Sequence, residues 1–316
     1  VKIAQSIVGA AGVWLIAAIA GRLAGAAAAA LCAWIAALYP PLVWICAYVL
    51  SEIVYSTVAL AAVLLLDRAL DRAGAHRPAT ATALIAGALC GAAILVRPAM
   101  LFFLPVAGVW LTARRRAALA VALAIAALTV VAPWTIRNYR TYGRFVLVAS
   151  EGGVTFWTGN HPLARGEGDL AANPDIKRAE IAFRASHPGL TAEQLEPLYY
   201  RDAIGHILER PGWWLGLVAR KAFYTVVPIG PSYTLHSTKY MAASLASYLL
   251  LLPFAVAGAR RLLASSRRRP TALLLLATSS VLVCLVFFPQ ERFRIPVIDP
   301  TLIVCAAALA SRSLAS

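Results

Sequence analysis

The sequence predicts an all-α polytopic membrane protein with about 8–9 transmembrane helices and one external polar segment of roughly 100 residues. Of its 316 residues, 61% are apolar and only 14% are charged. A soluble domain carries about a quarter of its residues as charges. The apolar residues also form long runs, and a run of about 18 uncharged residues is long enough to cross the hydrocarbon core of a bilayer.

The apolar runs define nine candidate spans along the chain. Pro98 divides residues 79–112 into either two short crossings or one broken element, since the residue before a proline disfavours helix. The stretch between the sixth and the seventh span, residues 137–237, is polar and rich in Gly, Pro and Asn. We therefore divide the chain into N-terminal transmembrane helices (1–136), an external polar segment (137–237) and C-terminal transmembrane helices (238–316). The spans lie at 3–20, 24–39, 43–66, 79–96, 98–112, 117–135, 238–258, 270–288 and 296–311.

Two helices are predicted inside the polar segment. The stretch TAEQLEPLYYRDAIGHILER (191–210) reads as an amphipathic helix with Thr191 as its N-cap and acidic residues in its first turns. The next stretch, PGWWLGLVARKAFYTVV (211–227), begins with Pro and paired tryptophans. That beginning is typical of a helix lying in the membrane interface.

Basic residues in the short connectors predict the orientation. One set of alternate connectors (21–25, 67–78, 112–117 and 259–269) holds 12 arginines, and the other set (39–42, 96–100 and 289–296) holds three. The positive-inside rule places the first set in the cytoplasm. Residues 137–237 are then external and the C-terminus is cytoplasmic. Because cytoplasmic and external connectors alternate, the first span begins on the external face, at Val1. We therefore expect a helix and an external loop upstream of Val1.

The net charge of +15 does not indicate nucleic-acid binding, because the basic residues lie in clusters between apolar runs. Such clusters are typical of loops that face a cytoplasm and an anionic leaflet. The five cysteines lie inside apolar runs without a C-x-x-C pair, which predicts packing rather than disulfides or a metal site. The N-terminus lacks a signal-peptide cleavage pattern. High alanine and arginine usage suggests a GC-rich bacterial gene.

Two ionisable residues lie within or at the end of predicted apolar spans. Glu52 lies inside the span 43–66, about 14 Å from its external end if that span is helical. A charged group at such a depth marks a functional site by default, although a packing carboxylate or a juxtamembrane helix would also explain it. Arg97 lies at the external end of its span, where it either serves function or snorkels to the interface.

The densest polar text is APWTIRNYRTYGRFVLVASEGGVTFWTGNHP (132–162), which begins where a span ends. It carries the polar pair Arg137 and Asn138, a short extended stretch, and then Glu151. Gly152 and Gly153 would allow either close approach of a ligand or a turn. A second stretch, PQERFRIPVIDP (289–300), carries Glu291, Arg292 and Arg294 at the mouth of the last span. Its arginines suit a phosphate, which guanidinium binds bidentately.

The aromatic and polar residues at the end of the first stretch suggest sugar recognition. Trp157 offers a stacking face, and Asn160 and His161 offer hydrogen-bonding groups. Each residue alone is more often structural. As a cluster they are candidate substrate-binding residues, together with Arg137, Asn138, Gly152, Gly153 and Glu291.

In order and character, these stretches resemble the GT-C-type membrane glycosyltransferases, specifically the protein-mannosyltransferase and aminoarabinose-transferase-like group (glycosyltransferase family 39-like). The resemblance spans nearly the whole chain and has moderate specificity, because no piece is a strict signature. It is carried by YPPLVWICAYVLSEIVYSTVAL (39–60), ILVRPAMLFFLP (94–105), PWTIRNYRTYGRFVLVASEGGVTFWTGN (133–160) and PQERFRIPVIDP (289–300).

The resemblance implies transfer of a sugar at the external face of the bacterial inner membrane. The donor would be a polyprenyl-phosphate-linked sugar, and the acceptor a glycan, a lipid or a protein of the cell envelope. Arg97, Arg292 and Arg294 would bind the departing phosphate, and a divalent metal is a possible cofactor. In this group the acidic base is expected in the first external loop, which this sequence lacks. Glu52 or Glu151 would then only assist the acceptor.

Three other readings stay open at this point. A lipid-linked polysaccharide polymerase or ligase would also use external arginines, against a lipid pyrophosphate. A secondary transporter predicts inverted repeats and paired broken helices, and the sequence shows neither. A non-catalytic membrane scaffold would agree with the missing loop.

Overall fold

The structure, a computed structural model, describes residues 1–167, 172–229, 237–265 and 268–311, and all regular secondary structure in these ranges is helical. The first half contains α1 (Lys2–Ala24), α2 (Ala26–Leu38), α3 (Pro40–Ala47), α4 (Glu52–Gly74), α5 (Thr80–Val96), α6 (Phe103–Ala113) and α7 (Ala117–Tyr142). The second half contains α8 (Gly152–Asn160), α9 (Pro174–Ala185), α10 (Ala192–Glu209), α11 (Pro211–Val226), α12 (Thr238–Ala264), α13 (Thr271–Val286), α14 (Glu291–Arg294) and α15 (Ile298–Ala307).

Among the described residues, four helices are long and apolar enough to cross a membrane: α1, α4, α7 and α12. A fifth span arises if α2 and α3, which are bent by 55° at Tyr39, count as one. Four further apolar helices have 10–17 residues: 80–96, 98–113, 271–286 and 298–310. The chain is therefore an all-helical protein with four or five candidate membrane spans, and the larger predicted number is not confirmed.

The predicted span 43–66 is wrong at its beginning. Residues 43–47 belong to α3, the chain leaves helical structure at 48–51, and a new helix starts at Glu52. Tyr48, the C-cap of α3, has an extended backbone. The break contains neither Pro nor Gly, so an apolar window runs across it, and only the polar pair Ser51–Glu52 hints at a helix start.

The chain divides into two compact units. Unit 1 comprises the described residues of Val1–Val131, Ala243–Ser280 and Arg294–Ser316. Unit 2 comprises those of Ala132–Ala242 and Val281–Phe293. The predicted external segment 137–237 lies within unit 2.

In unit 1, α1 packs against α2 and α4, and α4 packs against α5. Small residues of α5 allow α7 to approach closely. A Cβ atom added at Gly91 of α5 would lie 2.6 Å from the Ala127 carbonyl oxygen of α7. Gly87, one turn earlier, faces Leu123 in the same way. This small-x-x-x-small spacing is how membrane helices bring their backbones together.

Unit 2 has its own core, formed by apolar and aromatic side chains of α8, α9, α10 and α11. The predicted amphipathic helix 191–210 is confirmed as α10. Its start carries a capping box, in which the Gln194 side chain accepts a hydrogen bond from the Thr191 backbone N–H at 2.9 Å. The predicted helix 211–227 is confirmed as α11, with Pro211 at its first position. The buried members of the core are Trp157, Ala164, Ile176, Leu195, Tyr199, Ala203 and Leu217.

Candidate functional site

Glu52 and Arg97 form an ion pair in unit 1. The Arg97 Nη1 atom lies 2.8 Å from Glu52 Oε1, and it also donates to the Ser51 hydroxyl at 3.3 Å. Glu52 is completely buried and is the first residue of α4, where the helix dipole favours a negative charge. The expected depth within a continuous span is therefore wrong, because the carboxylate lies at a helix beginning. The Arg97 side chain, at the C-cap of α5, is 14% exposed.

A second ion pair joins Arg294 to Asp299. The Arg294 Nε atom lies 3.2 Å from Asp299 Oδ1, and the two side chains are 3% and 0% exposed. The guanidinium lies over the Tyr248 ring, 4.6 Å from its centroid, which is a favourable cation–π geometry. Asp299 was missed at the sequence level, although a carboxylate inside the apolar stretch RIPVIDP required a partner.

Both ion pairs lie near the beginning of α4. The Ser56 hydroxyl, one turn after Glu52, donates a hydrogen bond of 2.6 Å to the Pro296 carbonyl oxygen. Pro296 lies between Arg294 and Asp299 in the chain. Unit 1 therefore brings two of the three predicted phosphate-binding arginines to the same end of one helix, each with a buried carboxylate beside it.

The other end of α4 has a separate ion network. Arg22 contacts Asp67 at 3.3 Å and Asp71 at 2.8 Å. Asp67 is buried and also accepts a hydrogen bond from the Ala272 backbone N–H at 3.0 Å. Residues 52 and 67 are about 22 Å apart along a helix, so this network is distinct from the two ion pairs. On the predicted topology it lies at the cytoplasmic end.

The remaining predicted residues of the last polar stretch belong to unit 2. Glu291 is buried and accepts a hydrogen bond of 3.2 Å from the Tyr240 hydroxyl. Arg292 is exposed. The three arginines predicted to bind one phosphate are thus divided between the units, with Arg97 and Arg294 in unit 1.

The polar pair at the end of α7 stabilises the loop that follows it. The Asn138 side chain is buried and donates to the carbonyl oxygens of Val146 and Val148, both at 3.1 Å. Its own Oδ1 atom accepts from Arg137 at 3.1 Å. Arg137 is exposed and lies over the Trp134 ring, 5.0 Å from the centroid. These contacts give Asn138 a structural role in holding this loop.

The two predicted glycines allow close helix packing rather than the approach of a ligand. They begin α8, with Glu151 as the exposed N-cap residue. A Cβ atom at Gly153 would lie 2.5 Å from the Glu196 carbonyl oxygen of α10, and one at Gly152 would lie 2.6 Å from the Tyr200 hydroxyl. Side chains larger than hydrogen would therefore separate α8 from α10. The sequence did not reveal this packing, because the partner helix lies more than 40 residues later in the chain.

Trp157 and Asn160 are buried, so they do not offer the predicted sugar-binding surface. The Trp157 ring, 2% exposed, lies in the core of unit 2, and its Nε1–H donates to Asp202 at 2.6 Å. Asn160 is completely buried and donates to the carbonyl oxygens of Phe156 and Val286, both at 2.9 Å. Its Oδ1 atom accepts from the Trp214 ring and from Lys221, both at 3.0 Å.

His161 is half-buried beside Trp157, with ring centroids 4.3 Å apart. Burial and the nearby His206 lower the pKa of His161 to about 4, so its ring is neutral at pH 7. The ring of His206 approaches Asp202 at 3.4 Å, and both line a shallow depression of about 350 Å³. These histidines and Asp202 form a local polar cluster at the surface of unit 2.

Lys221 of α11 is a buried cation that the sequence did not single out. Its Nζ atom donates to Asn160 Oδ1 and, at 3.3 Å, to the Leu285 carbonyl oxygen. Burial lowers its pKa to about 7. A lysine in the stretch WWLGLVARKAFYTVV is typical of a side chain that anchors a helix at the membrane interface. The sequence therefore did not indicate that this lysine is buried.

No group of three or more His, Cys, Asp and Glu side chains in the described ranges is arranged to hold a metal ion. The two buried ion pairs of unit 1 place guanidinium groups beside carboxylates in an apolar surrounding. Comparison of the chain with protein-family models, curated proteins and solved structures gives no match.

Proposed function

We propose that this chain is a GT-C-type membrane glycosyltransferase. It transfers a sugar from a polyprenyl-phosphate-linked donor to an acceptor of the cell envelope, at the external face of the bacterial inner membrane. The observation that supports this proposal best is the pair of guanidinium groups, Arg97 and Arg294, near the beginning of α4. A polyprenyl phosphate has an apolar tail and an anionic head, and an apolar helical unit with arginines at one helix end suits both.

The two arginines have different proposed roles because they differ in exposure. Arg97 is partly exposed, so its guanidinium can reach a phosphate oxygen while Glu52 keeps it oriented. As the bond between sugar and phosphate breaks, this positive charge stabilises the departing phosphate. Arg294 is almost completely enclosed by Asp299 and the Tyr248 ring, so it acts as a positioning residue that adds positive potential.

The acceptor hydroxyl must lose a proton in this reaction, which requires a base. Neither predicted assisting carboxylate is assigned as that base. Glu52 is paired with Arg97, and Glu151 stands at the N-cap of α8. A carboxylate held by a guanidinium is a weak proton acceptor, since the nearby positive charge favours its ionised form.

The proposal includes the membrane topology predicted from the connectors. Eight or nine crossings result if the shorter apolar helices cross together with the four long ones and the bent pair. Residues 137–237 are then external and the C-terminus is cytoplasmic. A reporter inserted at 114–116 is expected to be cytoplasmic, and one inserted at 187–190 external.

The direct test is a transfer assay with the chain reconstituted in liposomes. A panel of polyprenyl-phosphate-linked hexoses and pentoses is supplied with envelope extract as acceptor, and released polyprenyl phosphate is measured. We expect Arg97→Gln to lower kcat/KM by about 100-fold or more, the usual effect of removing one group that stabilises a leaving anion. Arg220→Gln removes an exposed arginine of α11 and is the matched control.

The outcomes of this assay separate the candidate functions. Release of polyprenyl phosphate that depends on Arg97 supports the proposal. Release of polyprenyl pyrophosphate from a polyprenyl-pyrophosphate-linked oligosaccharide, supplied as a second donor, would favour a polymerase or ligase instead. Movement of the intact sugar lipid without cleavage would favour a transporter, and equal activity of the Arg97 variant and the control would remove the phosphate assignment.

A further inference from the structure

A depression of about 530 Å³ in unit 2 combines aromatic rings with carboxylates. Two of its lining residues, Glu196 and Tyr200, also pack against Gly153 and Gly152 of α8. The residues that matter for its chemistry are Tyr139, Arg144, Phe145, Glu193, Glu196 and Tyr200.

One wall is formed where α7 ends. Gly143 has a φ of 65°, and its N–H donates to the Tyr139 carbonyl oxygen at 2.9 Å. This left-handed helix ending turns the chain so that Phe145 follows Tyr139 along the same depression. The Phe145 and Tyr139 side chains are 73% and 59% exposed. Both rings line the depression, so a ligand that enters it can contact them.

The opposite wall is one face of α10. Glu193, Glu196 and Tyr200 follow each other at spacings of three and four residues, so they share a helix face. Two contacts fix the carboxylates: Glu196 accepts from the Gly153 backbone N–H and Glu193 from the Ser150 hydroxyl, both at 3.3 Å. Glu196 also accepts from the Gly152 backbone N–H, and Glu193 from its own backbone N–H and the Thr191 side chain. Each carboxylate has two oxygens with about four lone-pair sites, so these donors still leave capacity for a ligand hydroxyl.

We propose that this depression binds a sugar residue of a neutral glycan. A pyranose ring has an apolar C–H face that stacks on aromatic rings such as Tyr139 and Phe145. Its hydroxyl groups donate hydrogen bonds to carboxylates such as Glu193 and Glu196. Two carboxylates against one arginine disfavour an anionic ligand. The inference deepens the proposed function by naming a glycan as the acceptor. It rests on that proposal for its role in transfer and not for binding.

The test measures binding without any donor lipid. The full chain is placed in lipid nanodiscs, since the head group of a maltoside detergent is itself a sugar. Manno-, cello- and malto-oligosaccharides are the probes, and saturation-transfer NMR and calorimetry are the readouts. We expect millimolar or tighter binding of at least one series, with saturation transfer to ring C–H protons.

Three variants and one control test the assignment. Phe145→Ala and Tyr139→Ala each remove a stacking ring and are expected to weaken binding about tenfold. Glu196→Gln keeps the size of the side chain but removes the charged acceptor, with a loss of similar size. Phe223→Ala removes an exposed ring of α11 outside the depression and is expected to bind as the parent does.

Several results would overturn the inference. These are the absence of binding by all three series, equal binding by Phe145→Ala and Phe223→Ala, and preference for a Ser/Thr peptide over every oligosaccharide. If the parent protein binds an oligosaccharide but transfers no sugar from any donor lipid, that result would count against the proposed function alone.

Discussion

Polar side chains have different tasks in the two units. In unit 1, ionisable residues within apolar helices are held in ion pairs, as Glu52 is by Arg97 and Asp299 is by Arg294. In unit 2, the polar residues that were the strongest candidates for substrate binding make their hydrogen bonds within the protein. Asn160, for example, bonds two carbonyl oxygens, a lysine and a tryptophan.

This difference shows in which segments the sequence alone indicates a functional residue. An isolated charge in an apolar segment is costly, so its presence implies a partner or a function. In a polar segment, a Trp, Asn or Gly has many structural uses. Tyr139 and Phe145, which line the larger depression of unit 2, are exposed, but neither was singled out within the stretch 132–162.

The largest expected effect sharpens the comparison in unit 1. Arg294→Met leaves the Asp299 carboxylate buried without its cation, and we expect a loss of about 3–5 kcal/mol in stability. Arg294→Met combined with Asp299→Leu removes both charges and is expected to recover much of that loss. Thermal unfolding in nanodiscs measures both variants.

The exposed Arg220 supplies the control for the buried pair. Arg220→Met is expected to change the stability by less than about 0.5 kcal/mol. If Arg294→Met unfolds at the same temperature as Arg220→Met, the ion pair does not hold the fold together and the contrast between the units fails.

A smaller effect is expected at the packing of α8 on α10. Gly153→Ala forces a methyl group to within 2.5 Å of the Glu196 carbonyl oxygen, at a cost of about 1–3 kcal/mol. Gly216→Ala in α11 meets no atom within 4 Å and is expected to be neutral or stabilising by up to about 1 kcal/mol. A Gly153→Ala protein as stable as the parent would show that the glycine is free for another use, such as close approach of a ligand.

A further prediction concerns Lys221, and its effect on stability depends on pH. Its pKa is lowered from 10.5 to about 7 by burial. Between these values the unfolded chain holds a proton that the folded protein does not, so the stability of the folded state rises with pH in this window. We therefore expect the melting temperature of the parent, relative to Lys221→Met, to increase from pH 6 to pH 9.5.

The exposed Lys177 of α9 is the control, because Lys177→Met removes the same formal charge from the surface of unit 2. A difference between parent and Lys221→Met that does not change with pH would mean that Lys221 keeps its proton in the fold.

Much of the helical structure could be predicted from sequence because its causes are local. All nine apolar runs contain helices, and α10 begins at its capping residue as expected. The break at 48–51 was missed because Val49 and Leu50 are typical of an apolar helix. Within the break, the Leu50 carbonyl oxygen accepts a hydrogen bond of 2.8 Å from the Gln5 side chain, which lies far away in the sequence. The predicted number of spans is not confirmed because several apolar helices are short.

The site was harder to predict because its contacts are non-local. Glu52 and Arg97 were both named, but their pairing joins residues 45 positions apart. Asp299 is an exception, because its partner Arg294 lies in the same stretch. It was overlooked because the arginines of that stretch were assigned to a phosphate. Gly153 was assigned to a ligand because nothing near it in sequence reveals Glu196.

The central claim is that Arg97 binds the phosphate of a polyprenyl donor, and binding of polyprenyl phosphate tests it most directly. The full chain in nanodiscs is titrated with polyprenyl phosphate and with the matching polyprenol, which lacks the phosphate. We expect the parent and Arg220→Gln to prefer the phosphate by about tenfold or more and Arg97→Gln to lose that preference, since a charge-assisted bond to phosphate contributes about 1.5–3 kcal/mol. Equal affinity of the parent for the two lipids, or an unchanged preference in Arg97→Gln, would contradict the account.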